Sequence, residues 1–224
     1  LFAPAVLPCL REAVADFSLL LTKGYADKSA LKLVGDRFAL TQRQRLAVMR
    51  SACSDQRRQS RRDRCVPVET LAGQPLAVDG YNLLITIEAA LSDGLIFRGR
   101  DGCFRDLASI HGTYRKVEET VPALRLIGEF LTGTRIASAL WLLDSPVSNS
   151  GRLKTLIGQL ARESNWPWEI RLTISPDAEL SRMDTIVVST DSVVLDACQK
   201  WANLAAEIIT RRLPTTTVID LSAG

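Results

Sequence analysis

Along residues 5 to 22 apolar side chains recur at helical spacing, with Leu10, Val14, Phe17 and Leu21 on one face. The pattern predicts a helix. A turn at "GYAD" leads to a second, short helix carrying Leu31, Leu33 and Val34, with Asp27 or Ser29 available to cap it. Thr41 caps a third, which offers Leu46 and Met49 for packing and sets Arg43 and Arg50 at helical spacing. The next run, "QRRQSRRDR", has no apolar face of its own, so it is either solvated or held by an anion. "CVPVETLAGQP" has the proline and glycine of a linker.

From Pro75 the pattern changes. "LAVDG", "RIASALWLLD", "WEIRLTIS" and "TIVVSTD" read as strands, and "TTTVIDLS" as a short terminal one. Between them, "LLITIEAAL", "KVEETVPALRLIGEFL", "SGRLKTLIGQLARES" and "SVVLDACQKW" read as helical, and "AEIITR" as a helix or a strand. "SDGLIFRGRDGCFRD" reads as a hairpin or an extended excursion. Strands alternating with helices at these lengths predict an α/β domain with a mostly parallel sheet covered on both faces. The expected organisation is an arginine-rich helical domain over residues 1–66, then an α/β domain over 74–224.

Charge sharpens the first part. Between Thr41 and Cys65 eight arginines face two aspartates, a net of +6; the whole chain carries +3, which leaves −3 for the rest. Such asymmetry points to an anion-binding surface, with RNA or DNA as partners; a solvated arginine face with no ligand is the plainer alternative. The five cysteines are widely spaced with no CxxC pair, and there is one histidine, His111, so a zinc finger is not expected. That usage suits a reduced, cytoplasmic protein. No signal-peptide pattern and no apolar run long enough to cross a membrane is present.

Candidate chemistry sits at strand ends. Three predicted strands finish in aspartate, at Asp79, Asp144 and Asp191. The carboxyl edge of an open parallel sheet is where ligands bind. Carboxylates gathered there raise one another's pKa unless a cation neutralises them. Magnesium or manganese suits such an oxygen donor set, and phosphodiester hydrolysis follows from that chemistry. Against this, Asp144 can cap the turn at "SPVS", and Asp191 can cap the helix that follows it. No P-loop, dinucleotide fingerprint or nucleophile elbow occurs.

"AVDGYNLLI", "WLLD" and "IVVSTDSVVLDA" together resemble the PIN and NYN group of metal-dependent ribonucleases. The resemblance implies a three-layer α/β/α domain whose acids hold magnesium or manganese. Asp79 matches the first-strand aspartate of that group, Asn82 the asparagine of its "DGxN" pattern, Asp144 the acid ending a middle strand, and Asp191 the late "S-x-D" aspartate. The wider chain, through "GYADKSALKLVGDRFALTQRQR" and "DGCFRDLASIHGTYRK", resembles a mainly archaeal family of uncharacterised proteins that join a short helical domain to a PIN-like one.

The match departs from the group at its further acids. Glu88 is a possible occupant of the helix position. Asp106 is favoured over Asp101 in the excursion. Asp184 stands at the wrong end of its strand, so Asp177 and Glu179 are the better candidates there. Asp79, Asp144, Asp191 and Asp106 are thus the expected catalytic acids, the first three as metal ligands. Asn82, Arg98, Arg105, Arg115, Arg57, Arg58 and Arg61 are expected to meet substrate. Trp166 and Trp168, flanking Pro167, are read as packing groups or as an interface or nucleobase contact. The expected activity is metal-dependent RNA cleavage, in a chain that can dimerise; the alternative is a non-catalytic RNA-binding protein with a degraded site.

Overall fold

The structure is a computed structural model of the 224-residue chain and describes residues 1–108 and 117–222. In chain order the helices and strands begin with α1 (Leu7–Thr22), α2 (Asp27–Arg37), α3 (Gln42–Ser51), α4 (Asp55–Arg64), β1 (Pro75–Asp79) and α5 (Gly80–Leu91). There follow β2 (Ile96–Arg98), β3 (Phe104–Arg105), α6 (Thr120–Thr134), β4 (Ser138–Asp144), α7 (Ser150–Glu163) and β5 (Trp168–Thr173). The last are α8 (Pro176–Leu180), β6 (Ile186–Val188), α9 (Ser192–Ala197), β7 (Lys200–Trp201), α10 (Leu204–Arg212) and β8 (Val218–Asp220). An all-helical N-terminal region thus precedes a mixed α/β region. No helix of the described residues is long and apolar enough to cross a membrane.

The chain divides into two compact units. The first joins Leu1–Asp63 to Leu95–Leu107 and Thr217–Gly224. Its core draws Leu10, Val14 and Phe17 from α1, Val34 from α2 and Val48 from α3, together with Phe97, Ile219 and Leu221. Met49, expected in the packing, instead faces solvent, as does Leu33 of α2. Thr41 closes a capping box with Gln44: the threonine side chain accepts from the Gln44 N–H, and the Gln44 side chain accepts from the Thr41 N–H. The predicted excursion is an antiparallel pair, β2 with β3, and β8 adds to it in parallel through Phe97 and Ile219. The C-terminal strand therefore completes this three-stranded sheet, in the order β3-β2-β8.

Part of the arginine run is spent inside this unit. Arg61 on α4 is 1% exposed, and its guanidinium donates to Asp101 at 2.6 Å. Arg105 makes a two-pronged contact with the same carboxylate at 2.9 and 2.7 Å. Burial alone would raise the Asp101 carboxyl, but the charges and hydrogen bonds of Arg105 and Arg61 outweigh it and hold it well below the usual range. The anion that α4 needed is thus the protein's own. Arg100 pairs with Asp55, Arg45 with Asp36, and Arg50 with Asp106.

The second unit, Arg64–Gly94 with Ala108–Thr216, holds a five-stranded parallel sheet in the order β5-β4-β1-β6-β7. β1 and β4 are near-continuous apolar runs, and Leu76, Ala77, Val78, Trp141, Leu142 and Leu143 are almost wholly buried. That is what a parallel strand covered on both sides requires. The stretch expected as a linker belongs to this unit: Val68 and Leu71 are buried, and the Val66 N–H donates to the Trp201 carbonyl at 2.8 Å. Its apolar residues outweigh its proline and glycine. Residues 204 to 212, open between helix and strand in the sequence, form a helix because Ile208 and Ile209 fall on its buried side.

The buried Arg61–Asp101–Arg105 cluster makes a direct prediction. Asp101→Asn leaves two buried guanidinium groups without a counter-charge and should cost about 3–5 kcal/mol in denaturant unfolding. Arg58→Ala, at an exposed position of the same helix, should cost under about 0.5 kcal/mol.

Candidate functional site

β1 sits at the centre of the five-stranded sheet. The chain moves from β1 outward to β4 and β5 on one side, then returns to lay β6 and β7 on the other. The crevice between β1 and β6, at their carboxyl ends, is therefore a topological switch point. Asp79 ends β1 here and serves as the N-cap of α5, its carboxylate accepting from the Asn82 N–H at 3.4 Å. Gly80 is needed for the turn because a Cβ would lie 2.5 Å from the Leu143 side chain and 2.9 Å from the Leu142 carbonyl. Aspartate followed by glycine thus combines a cap with a close approach of α5 to β4.

Two contacts join this turn to the one after β6. The Ser189 hydroxyl donates to the Asp79 carboxylate at 2.8 Å. The Asn82 side-chain carbonyl accepts from the Thr190 N–H at 2.8 Å and from its hydroxyl at 3.0 Å. Asp191 in turn caps α9, accepting from the Val193 and Val194 N–H groups. The capping role weighed for Asp191 in the sequence is therefore present.

On the other side, Asp79 stands in register with Leu142, so Asp144 ends β4 two residues further along, on the same side of the sheet as Asp79. The Tyr81 hydroxyl and the Ser150 hydroxyl are 2.9 Å apart, and Ser150 donates to the Asp144 main-chain carbonyl. Neither contact uses the Asp144 carboxylate.

The electrostatics bring in a fourth acid. Burial pushes Asp79 up to about 7, helped by the charges of Asp177 and Asp191 and opposed by the Ser189 hydrogen bond. Asp177, in the first turn of α8 after β5, is raised by the surrounding protein and then by Asp191 and Asp144. Burial also raises Asp144. Asp79, Asp144, Asp177 and Asp191 thus stand along one sheet edge, with Asp177 sensing both Asp191 and Asp144. Sequence reasoning named Asp177 only as one of two loop acids. Its position in the first turn after β5 was the available signal.

Other expected residues lie elsewhere. Asp106 belongs to the first unit, beside Arg50. Arg105 and Arg61 are turned inward onto Asp101 rather than outward to a ligand. Arg98 faces Asp220 at 3.5 Å, and Arg57 faces Asp27 at 3.9 Å; Arg58 is exposed. Glu88 is buried and accepts from the Thr120 hydroxyl at 2.6 Å, about 12 Å of helical rise from the start of α5. Glu179 accepts from the Thr173 hydroxyl and lies 3.8 Å from Arg171. Asp184 precedes β6, at its amino end. Arg115 lies outside the described residues, as does His111.

Residues 68–207 match the family described as a domain of unknown function (DUF5616), and residues 9–64 match a protein of unknown function (DUF434). The chain belongs to the DUF5616 family, with the helical region of the second family in front of it. It is similar to an uncharacterized protein of the archaeon Methanocaldococcus jannaschii, MJ0935, at 27% identity over 83% of this chain and 88% of that one. No solved structure matches the chain.

The raised acids predict a pH response. The folded state holds a proton on Asp79 up to about pH 7, whereas the unfolded chain releases it near 3.8. The folded state therefore binds more protons across that window, and without divalent ions stability should fall as pH rises from about 4 to 7. Asp79→Asn should flatten part of that fall, read as melting temperature against pH.

Proposed function

We propose that the second unit has the three-layer α/β/α fold of a PIN-like domain and acts on RNA at the carboxyl edge of its sheet. The observation that carries this reading is the run of four acids centred on a buried Asp79 whose pKa is pushed to about 7. Like charges kept this close invite a cation, and their all-oxygen chemistry suits magnesium or manganese.

Among the described residues no three histidine, cysteine, aspartate or glutamate side chains stand ready to hold one metal ion. Magnesium takes one or two protein carboxylates and completes its shell with water and substrate phosphate. Asp79 with Asp177, whose charge acts on it, would meet that smaller demand. A bound cation would supply activation of water and neutralise charge on the phosphoryl group.

The chain's own residues set the rest. Ser189 holds the Asp79 carboxylate in place. Asp79 holds its proton up to about pH 7 and would give it up on meeting a cation, which leaves its carboxylate to serve as the ligand. Asn82 commits its carbonyl to Thr190 and keeps its amide N–H groups for a substrate oxygen. Asp191 is anchored by capping α9, which fixes its carboxylate beside Asp177 and Asp79.

A second reading is an RNA-binding protein whose edge does not catalyse. It is favoured by the lack of a three-ligand nest among the described residues, and it is the reading that the acids satisfy as they stand. The two separate cleanly. Labelled RNA incubated with manganese should be cut, and Asp79→Asn should slow cleavage roughly 100-fold or more while leaving RNA binding in place. RNA bound by both proteins and cut by neither would establish the second reading.

A further inference from the structure

The amino end of the five-stranded sheet carries a cleft that the acidic edge does not use. Its volume is about 160 Å³, and Leu131, Thr132, Arg135, Asn165, Trp166 and Trp168 line it with neighbouring residues. The indoles belong to one stack: Trp166 and Trp168 have ring centroids 4.6 Å apart, and Trp168 lies 4.8 Å from the buried Trp141. Trp166 is seated over Gly128 of α6, where a Cβ would fall 2.2 Å from its ring. The seat is shaped for that indole, yet Trp166 and Trp168 are each only partly buried.

A cation stands beside them. Arg135 follows α6 in the left-handed conformation, φ 56°, a place that glycine usually fills. Its side chain is exposed and has no ion-pair partner among the described residues. Asn165, Ser164 and Thr132 add polar groups around the same opening.

We propose that this cleft binds one unpaired nucleobase of single-stranded RNA, its ring against the indole rims and the adjoining phosphate on Arg135. The indole faces are already stacked on one another, so their rims would hold a base by edge-on van der Waals contact, and a guanidinium recognises phosphate through paired N–H donors. The cleft's size admits a single ring, whereas a proline-rich peptide needs an extended groove. The unpaired arginine supplies the complementary charge. This site lies at the edge opposite the acids and does not require them to catalyse.

The test is the binding of a fluorescent five-residue oligoadenylate in EDTA, read by anisotropy, with tryptophan fluorescence followed in parallel. Arg135→Gly suits the left-handed backbone, so it removes the guanidinium without straining the fold. It should weaken binding about fivefold or more. Trp166→Phe should also weaken binding, and Lys28→Ala, which removes an exposed positive charge far along the chain from the cleft, should bind as the wild type does. Unchanged affinity in both cleft variants would overturn the proposal. So would tryptophan quenching by a proline-rich peptide in place of the oligoadenylate.

Discussion

A serine hydroxyl donating to a buried carboxylate joins the central strand of the larger unit to its neighbour's exit turn. Ser189 reaches Asp79 across the switch point, and Asn82 reaches Thr190 beside it. These contacts close the crevice where β1 and β6 diverge, and they hold an acid in a place that disfavours its charge. Desolvation and the nearby Asp177 and Asp191 outweigh the stabilising hydrogen bond and push the Asp79 carboxyl up to about 7. The architecture thus fixes a buried carboxylate whose charged form is disfavoured.

The smaller unit solves an opposite problem. Its sequence concentrates arginine, and a surface built from all of them would repel itself. The fold withdraws Arg61 and Arg105 onto Asp101 and shares others among Asp36, Asp55 and Asp106. Arg100 spends its charge internally in the same way. Net charge along a sequence therefore overstated the surface available to an anionic partner. What remains outward among the described residues includes Arg43, Arg58 and Arg62.

Much of the edge was legible because it rests on local grammar. An apolar run ending in Asp-Gly is a parallel strand meeting a helix N-terminus, as at Asp79; Asp144 ends β4 before a loop, and Asp191, expected to end a strand, instead lies three residues past β6 as the cap of α9. The unit boundaries were less legible. β2 pairs in parallel with β8 some 120 residues away, and nothing local in "LIFR" or "TVID" encodes that partnership. Asp101 looked like one more candidate acid beside Asp106, because the arginines that claim it include one forty positions upstream. The structural use of Glu88 was hidden for the same reason: its partner, Thr120, lies on another helix. Patterns within a few residues report elements, while side-chain commitments across the fold do not show in them.

Asp79 is held at an edge that resists its ionisation, and the proposed function rests on a cation relieving that resistance. The most direct measurement is its carboxyl titration by ¹³C NMR, with and without magnesium. The account predicts a midpoint near 7 in the metal-free protein, falling sharply when magnesium is added. A midpoint near 4 that magnesium leaves unmoved would contradict it.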